Sequence, residues 1–366
     1  MEIGSVLELD EWKLYGIPEE KKEFRLPFMR AKQNYKSVFY QSGRNAIEAL
    51  LLYLKETKGI QKMLCPDYMC ATVTDAGRRA GVWPESYRID RDYCFSPGEI
   101  EGKLESGTCL FVAHFFGKKM DKRMLEKLLQ WKARGVIVIE DITLSLFSSD
   151  EENGVGFGTY TLGSIRKWLS VPDGGFVTSC TEELPQKVIR SCVSKYTDFY
   201  LAVQRMKREY IQGGCENKEL KKIYMSYYAL SIEELFSDYQ LYPMSDWTQN
   251  YLQNYELQEV LKKRIANYDY LYDKLSSVEG ITLKVRREEG YLPLGMVIQA
   301  ENREELLQYL IQNDIYCNVH WRLEPLEGNP ERTFLSRHSL TIPCDQRYGM
   351  EEMDYIVDVL ERWGRK

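Results

Sequence analysis

At 366 residues the chain is too long for one small hydrophobic core and suggests two or three domains. Its 44% hydrophobic and 28% charged residues are those of an ordinary water-soluble globular protein. A net charge of -6, with Lys and Arg dispersed among acids as in residues 19–23 (EEKKE), argues against a general nucleic-acid binder.

The first predicted helix carries Ile47, Leu50, Leu51 and Leu54 at i, i+3, i+4, i+7, a single buried stripe. A short strand at 63–65 ends at Pro66, a helix over 71–79 leads through Gly81, and a second strand covers 82–89. Residues 109–113 (CLFVA) and 136–139 (VIVI) are apolar runs without polar alternation, separated by an amphipathic helix at 124–131. Such runs describe strands buried on both faces of a mostly parallel sheet. A further strand is predicted at 175–178. Residues 190–275 read as helical and tyrosine-rich, ending in a long connecting helix over 255–275. Lys262, Lys263 and Arg264 on that helix read as a solvated face rather than a phosphate track. Beyond Gly280, strands at 281–285, 292–300, 315–321 and 339–344 mix with a helix over 303–312. A last amphipathic helix carries Met353, Ile356, Val357, Leu360 and Trp363 on one face. The expected fold is α/β, with a large domain over residues 1–250 and a small C-terminal α+β domain over 251–366.

Nine scattered cysteines and three histidines offer no metal-ligand spacing; Cys65 and Cys70 are the nearest cysteine pair. A reduced, cytoplasmic protein is the simplest account, since no secretory signal pattern opens the chain and no apolar run approaches the ~18 residues of a membrane span.

The chemistry concentrates around Lys167. It lies in Ser164-Ile165-Arg166-Lys167-Trp168, shortly before Pro172-Asp173-Gly174-Gly175 and about two dozen residues after an apolar strand ending in Glu140-Asp141. A lysine in such a turn can hold pyridoxal phosphate through its amine, and an aspartate at a strand end can keep the cofactor's ring nitrogen protonated. Neighbouring positive charge from Arg166 and partial desolvation would lower the lysine pKa. Ser164 could offer its hydroxyl to the phosphate. Ser42 is a plausible helix N-cap, Gly43 permits close backbone approach, and with Arg44 they place a helix N-terminus where a phosphate could bind. His114 follows an apolar strand and reads first as a satisfied core or strand-end histidine. Asn318, His320 and Trp321 could face the cleft. The glycines at 154, 156 and 158 form a loose loop and not a dinucleotide fingerprint, since no strand precedes them.

Residues 39–50 (FYQSGRNAIEAL), 66–81, 114–117, Glu140-Asp141 and 164–175, with 315–321 and 339–343, occur in an order that resembles the DegT/DnrJ/StrS-type aminotransferases over roughly residues 35–366. The resemblance implies the fold type I architecture of pyridoxal phosphate enzymes, with a mostly parallel seven-stranded sheet. It also implies a homodimer with the active site near the subunit interface, and cofactor attachment at Lys167. The implied reaction carries an amino group from glutamate or glutamine to a nucleotide-linked keto-sugar, in cell-surface polysaccharide or secondary-metabolite synthesis. Cofactor contacts are then expected from Ser42, Gly43, Arg44, Tyr68 (with Met69 or Cys70 in other registers), Asp141, Ser164 and Lys167. Substrate contacts are expected from Arg166, His114 and His320.

The chain also departs from the family pattern. The lysine motif is short. Leu144 stands where a glutamine or histidine is usual, and the nearest match to a cross-subunit Asn-Tyr-Arg segment, Asn250-Tyr251-Leu252, lacks the arginine. Two rival readings follow: another pyridoxal phosphate reaction, such as a sugar dehydration, and a non-catalytic sugar-nucleotide binder. Joint retention of Lys167 and Asp141 counts against the binder.

Overall fold

The computed structural model describes residues 2–10, 24–29, 34–149, 154–185 and 194–365; the mixed-charge run at 19–23 lies outside them. Strand β1 (Ile3–Gly4) comes first, then β2 (Lys36–Tyr40) and helix α1 (Gly43–Lys58). The Ser42 hydroxyl caps α1 by accepting the Asn45 N–H at 3.2 Å, and Gly59 ends the helix at φ +68°. Strands β3 (Lys62–Pro66), β4 (Trp83–Tyr87), β5 (Thr108–Ala113) and β6 (Val138–Asp141) alternate with helices α2 (Ala71–Ala80), α3 (Pro97–Glu101) and α4 (Lys122–Ala133). β7 (Tyr160–Ser164) and β8 (Gly175–Ser179) complete a seven-stranded sheet of order β2-β8-β7-β6-β5-β3-β4. Only β8 runs against its neighbours; the other pairs are parallel.

This is the mostly parallel α/β sheet expected, with two strands the periodicity did not mark. β2 is only half-buried along most of its length, and β7 contains Thr161 and Gly163, so neither shows an apolar run. β6 starts two residues later than predicted and ends, as expected, on Glu140 and Asp141.

The helical middle of the chain comprises α5 (Lys195–Gln212) and α6 (Lys218–Ser237), which pack together, then α7 (Asp246–Gln253) and the long α8 (Leu257–Leu275). Asn250, Tyr251 and Leu252 lie in α7, with Tyr251 and Leu252 buried in their own chain's core. The basic cluster on α8 divides. Lys262 and Lys263 are exposed, whereas Arg264 turns inward to Gln346 and to the carbonyls of Leu294 and Trp168, so the solvated-face reading holds for the lysines alone. A helix turns about 100° per residue, and the third position of the run reaches the buried side.

The C-terminal part contains β9 (Thr282–Leu283), β10 (Met296–Gln299), α9 (Arg303–Gln312), β11 (Ile315–Tyr316), α10 (Pro330–His338), β12 (Ser339–Ile342) and α11 (Met350–Gly364). β12, β10 and β9 form an antiparallel sheet covered by apolar residues of α8, α9 and α11. β1 pairs in parallel with β11, and Ile3 is buried in this second core, although residues 3–4 fall on the other side of the expected boundary at 250. No helix among the described residues is long and apolar enough to cross a membrane.

Candidate active site

The parallel strands β3, β5, β6 and β7 end on the same side of the sheet, where open α/β sheets gather ligands. There a cavity of about 260 Å³ is bounded by the start of α1, the end of β6 and the turn after β7. Gly43, Arg44, His114, Asp141, Ser164 and Lys167 all contribute to its wall.

Lys167 sits on a single 3-10 turn, Ile165–Lys167, placed by the Asp173-Gly174-Gly175 segment. The Gly174 N–H donates to the Gln41 carbonyl at 2.8 Å, and the Gly174 carbonyl accepts from the Ile165 N–H at 2.7 Å. A Cβ on Gly175 would come within 2.1 Å of the Ser42 carbonyl oxygen, so a residue without a side chain is required for β8 to pass the start of α1. Asp173 is buried and accepts from the Ser245 N–H and hydroxyl, each at 3.0 Å, and from the hydroxyls of Thr248 and Thr197. Trp168 is buried behind the lysine, its indole N–H bonded to the Thr143 carbonyl at 2.8 Å. The amine itself makes no hydrogen bond or ion pair to a described residue. Burial lowers its pKa, Cys70 opposes this, Arg166 lowers it further and Asp141 opposes again; the net direction is below an ordinary lysine.

Two adjacent carboxylates end β6. Glu140 is fully buried and accepts from His114 Nε2 at 2.7 Å, the Gly156 and Gly158 N–H groups at 2.9 Å each and the Thr161 hydroxyl at 3.0 Å. Burial raises its pKa, but these donors prevail and hold it below the usual carboxylate value. A carboxylate only accepts, so His114 Nε2 carries the hydrogen; His114 Nδ1 is buried without a partner. Asp141 lines the cavity and accepts from the Thr143 N–H at 2.8 Å. Burial pushes its carboxyl up, despite Thr143 and the charges of Lys167 and His114.

Ser42 and Gly43 bring the first turn of α1 to the cavity, and Ser164 packs against it: a Cβ on Gly43 would lie 3.3 Å from that of Ser164. The Ser42 hydroxyl is engaged as the cap of α1. Arg44 lines the cavity but directs a nitrogen to the Asp238 carbonyl at 3.1 Å, with Tyr239 and Phe236 rings beside its guanidinium. Tyr68 is not on the cavity wall. It is buried against Trp321 and Phe115, with its hydroxyl bonded to the His320 carbonyl, while Met69 and Cys70 face the cavity. Tyr68 is therefore unavailable to stack on a ring bound there, and of the three registers the wall has Met69 and Cys70. Leu144 also lines it, bringing no polar atom from its side chain.

A second cavity of about 340 Å³ lies on the other side of the lysine turn, toward β1, α6 and β12. Asn318 and His320 line this one, whereas Trp321 lines the first. His320 is buried, with Nδ1 3.0 Å from the Thr341 hydroxyl; burial and the Lys167 charge push it down to about 3, so near neutral pH it is uncharged. Sequence reasoning did not foresee this second cavity, the Asp173 cluster or the Glu140 pocket. The glycine loop at 154–158 carried a signal for the last: a Cβ on Gly158 would lie 2.8 Å from that of Glu140.

No protein-family model matches the chain, and no curated protein matches it by sequence. Solved structures do. DesV of S. venezuelae, in complex with a ketimine intermediate, is 18% identical with a TM-score of 0.64, covering 93% of this chain and 87% of DesV. A DegT DnrJ EryC1 StrS aminotransferase from Brucella abortus is 16% identical with a TM-score of 0.61, over 90% of this chain and 86% of its own. The putative sugar aminotransferase Spr1654 from Streptococcus pneumoniae, in its pyridoxal phosphate form, is 15% identical with a TM-score of 0.66, over 92% and 89%. The chain has the fold type I architecture of pyridoxal phosphate aminotransferases. Within that architecture, the solved structures it resembles include sugar aminotransferases.

Proposed function

We propose that this protein is a pyridoxal-phosphate-dependent aminotransferase. It moves the amino group of glutamate or glutamine onto a nucleotide-linked keto-sugar, and works in the cytoplasm as a homodimer. One observation carries the reading: an unpaired lysine amine, a carboxylate with no salt-bridge partner among the described residues and a helix N-terminus converge on one cavity. The donor set fits the cofactor. The first N–H groups of α1 have no intrahelical carbonyl partner, and the Ser164 hydroxyl makes no hydrogen bond to a described residue, so both can serve a phosphate. Asp141, raised by burial, gains from a protonated ring nitrogen at the cavity end of β6.

Bound there, pyridoxal phosphate supplies an aldehyde that condenses with amines and a ring that accepts electrons. Lys167 Nζ, its pKa lowered, would offer the neutral amine to hold the aldehyde. Once free, the same atom would be the base that takes the proton from the substrate carbon and gives it up again within the same half of the exchange, the second half running these transfers in reverse. Asp141 holds the proton on the ring nitrogen. His114, fixed by Glu140, and Trp321, from the C-terminal part, wall off water.

The dimer is supported by α6, which exposes Ile223, Met225 and Leu230 and continues through Phe236 to the cavity wall. The deciding experiment is the visible spectrum of the purified protein with added pyridoxal phosphate, before and after borohydride, beside Lys167→Ala. The expected result is a band that borohydride abolishes, that the variant lacks and that L-glutamate bleaches. A wild-type protein without a band under any condition would leave a non-catalytic binder as the better account.

A further inference from the structure

We propose that Arg166 receives the carboxylate of the amino donor, which enters through the second cavity; the assignment rests on the aminotransferase reading above. Among the described residues, Arg166 and Lys167 are the two that line both cavities, so a molecule seated on the guanidinium lies beside the amine. An α-amino acid holds its amine and its carboxylate on one carbon, the spacing that such a neighbouring pair suits.

Among the described residues three arginines border the second cavity, and two have their nitrogens taken by carboxylate, amide or carbonyl oxygens. Arg347 grips Asp345 through two nitrogens at 2.7 and 2.9 Å and Glu8 through the third at 3.0 Å. Arg264 is taken up by Gln346 and the carbonyls of Leu294 and Trp168. Arg166 forms no ion pair with a carboxylate of the described residues, and its Nε is buried without an acceptor. Its guanidinium lies 5.7 Å from the ring centroids of both Tyr196 and Tyr200 and bonds to the Tyr200 phenol, contacts that keep a cation in place without neutralising it. A buried donor left unmade is costly, and here the missing partner has the chemistry of an oxyanion. Asn318 and Tyr228 border the same space with an amide and a phenol. A nucleotide-linked keto-sugar bears phosphates but no carboxylate beside its reacting carbon, so Arg166 selects the donor and not the acceptor.

The test compares wild type, Arg166→Gln and Arg166→Lys, each loaded with pyridoxal phosphate. Three quantities are read: cofactor affinity from the visible band, glutarate binding by calorimetry, and the L-glutamate concentration that half-bleaches the band. Arg166→Gln is expected to keep cofactor affinity within about twofold and to weaken glutarate and L-glutamate by about tenfold or more. Arg166→Lys should fall between, since an ammonium keeps the charge and loses the planar fork. Unchanged glutarate and L-glutamate affinities beside a normal band overturn the assignment. Weakened cofactor binding, with glutarate affinity intact once the protein is saturated, also overturns it and gives Arg166 to the cofactor's phosphate. If Arg166→Gln does not fold, Arg166→Lys decides alone, and wild-type glutarate binding in it overturns the assignment. A wild type without a band fails the aminotransferase reading itself, a result distinct from lost carboxylate selectivity beside a normal band.

Discussion

Glu140 and Asp141 are consecutive residues at the end of one strand, yet they face opposite regions of the molecule. Behind β6, Glu140 is closed in by donors from four residues, and its carboxyl is held below the usual range. In front, Asp141 accepts from the Thr143 N–H, borders a cavity, and burial raises its carboxyl. A strand sends alternate side chains to opposite faces, so one acid serves architecture and its neighbour faces a ligand. The second cavity repeats the contrast with arginines: Arg264 and Arg347 have their donors taken by carboxylate, amide or carbonyl oxygens, whereas Arg166 bonds to the Tyr200 phenol and keeps a buried Nε without an acceptor. In both regions the candidate functional group is marked by the partner it lacks.

Breaking the closed side should have the largest effect on folding. Glu140→Gln turns one acceptor oxygen into an NH₂ group facing donors, and breaking such a buried charged network costs about 3–5 kcal/mol. Urea unfolding should show this loss; a midpoint shift worth less than about 1 kcal/mol would mean the pocket is not a structural anchor. The open side should respond in reverse. Asp141→Asn removes a half-buried charge with few donors, so stability should change by less than about 1 kcal/mol or rise. Amino transfer from L-glutamate should nonetheless fall by about a hundredfold or more, because nothing then keeps the ring nitrogen protonated. Paired melting curves and turnover rates separate the two acids. Equal stability losses would erase the distinction.

How far this division could be read from the sequence depends on range. The α1 stripe, the α9 helix and the buried runs of β3, β5 and β8 follow from local periodicity, and the structure has them within a few residues. Lys167, Asp141, Ser164 and the start of α1 do meet at one cavity. Tyr68 could not be separated from Met69 and Cys70, because a turn after a strand leaves the facing direction open by one residue. The fate of Arg264, the pairing of Ile3 with Ile315 and the acceptorless Nε of Arg166 depend on contacts between distant segments, which leave no local pattern. The 154–158 glycines appeared formless because their partner, Glu140, lies well away in the chain.

A third acid, Asp173, sharpens the comparison with pH. Like Glu140 it is buried among several donors, but three of these are hydroxyls, and burial raises its carboxyl to about 6. A folded-state pKa above the unfolded one contributes stability that is complete below about pH 4 and is lost as pH rises through about 6. The stability lost across that window should be on the order of 1–3 kcal/mol, and Asp173→Asn should remove that part of the slope. Unfolding free energies of both proteins from pH 4 to 7 check this. Parallel profiles would mean that the hydroxyl donors satisfy Asp173 as fully as the backbone and imidazole donors satisfy Glu140.

The smallest expected effect belongs to Ser42, which stands between the two kinds of region. Its hydroxyl is engaged inward, accepting the Asn45 N–H, while the residue itself borders the open cavity. As a cap alone, Ser42→Ala should cost about 1 kcal/mol and leave cofactor affinity untouched. The hydroxyl hydrogen points to Asn45 Oδ1 at 3.3 Å; if it turns to the cofactor's phosphate instead, the same substitution should weaken pyridoxal phosphate binding by a few-fold on top of that loss. Ser42→Gly separates the two contributions: glycine is nearly as good an N-cap and restores most of the stability, yet it cannot restore a hydrogen bond to a phosphate. Cofactor affinity that recovers with glycine therefore places Ser42 with Glu140, among the groups whose partners are all internal. Affinity that stays low in both variants places it with Asp141.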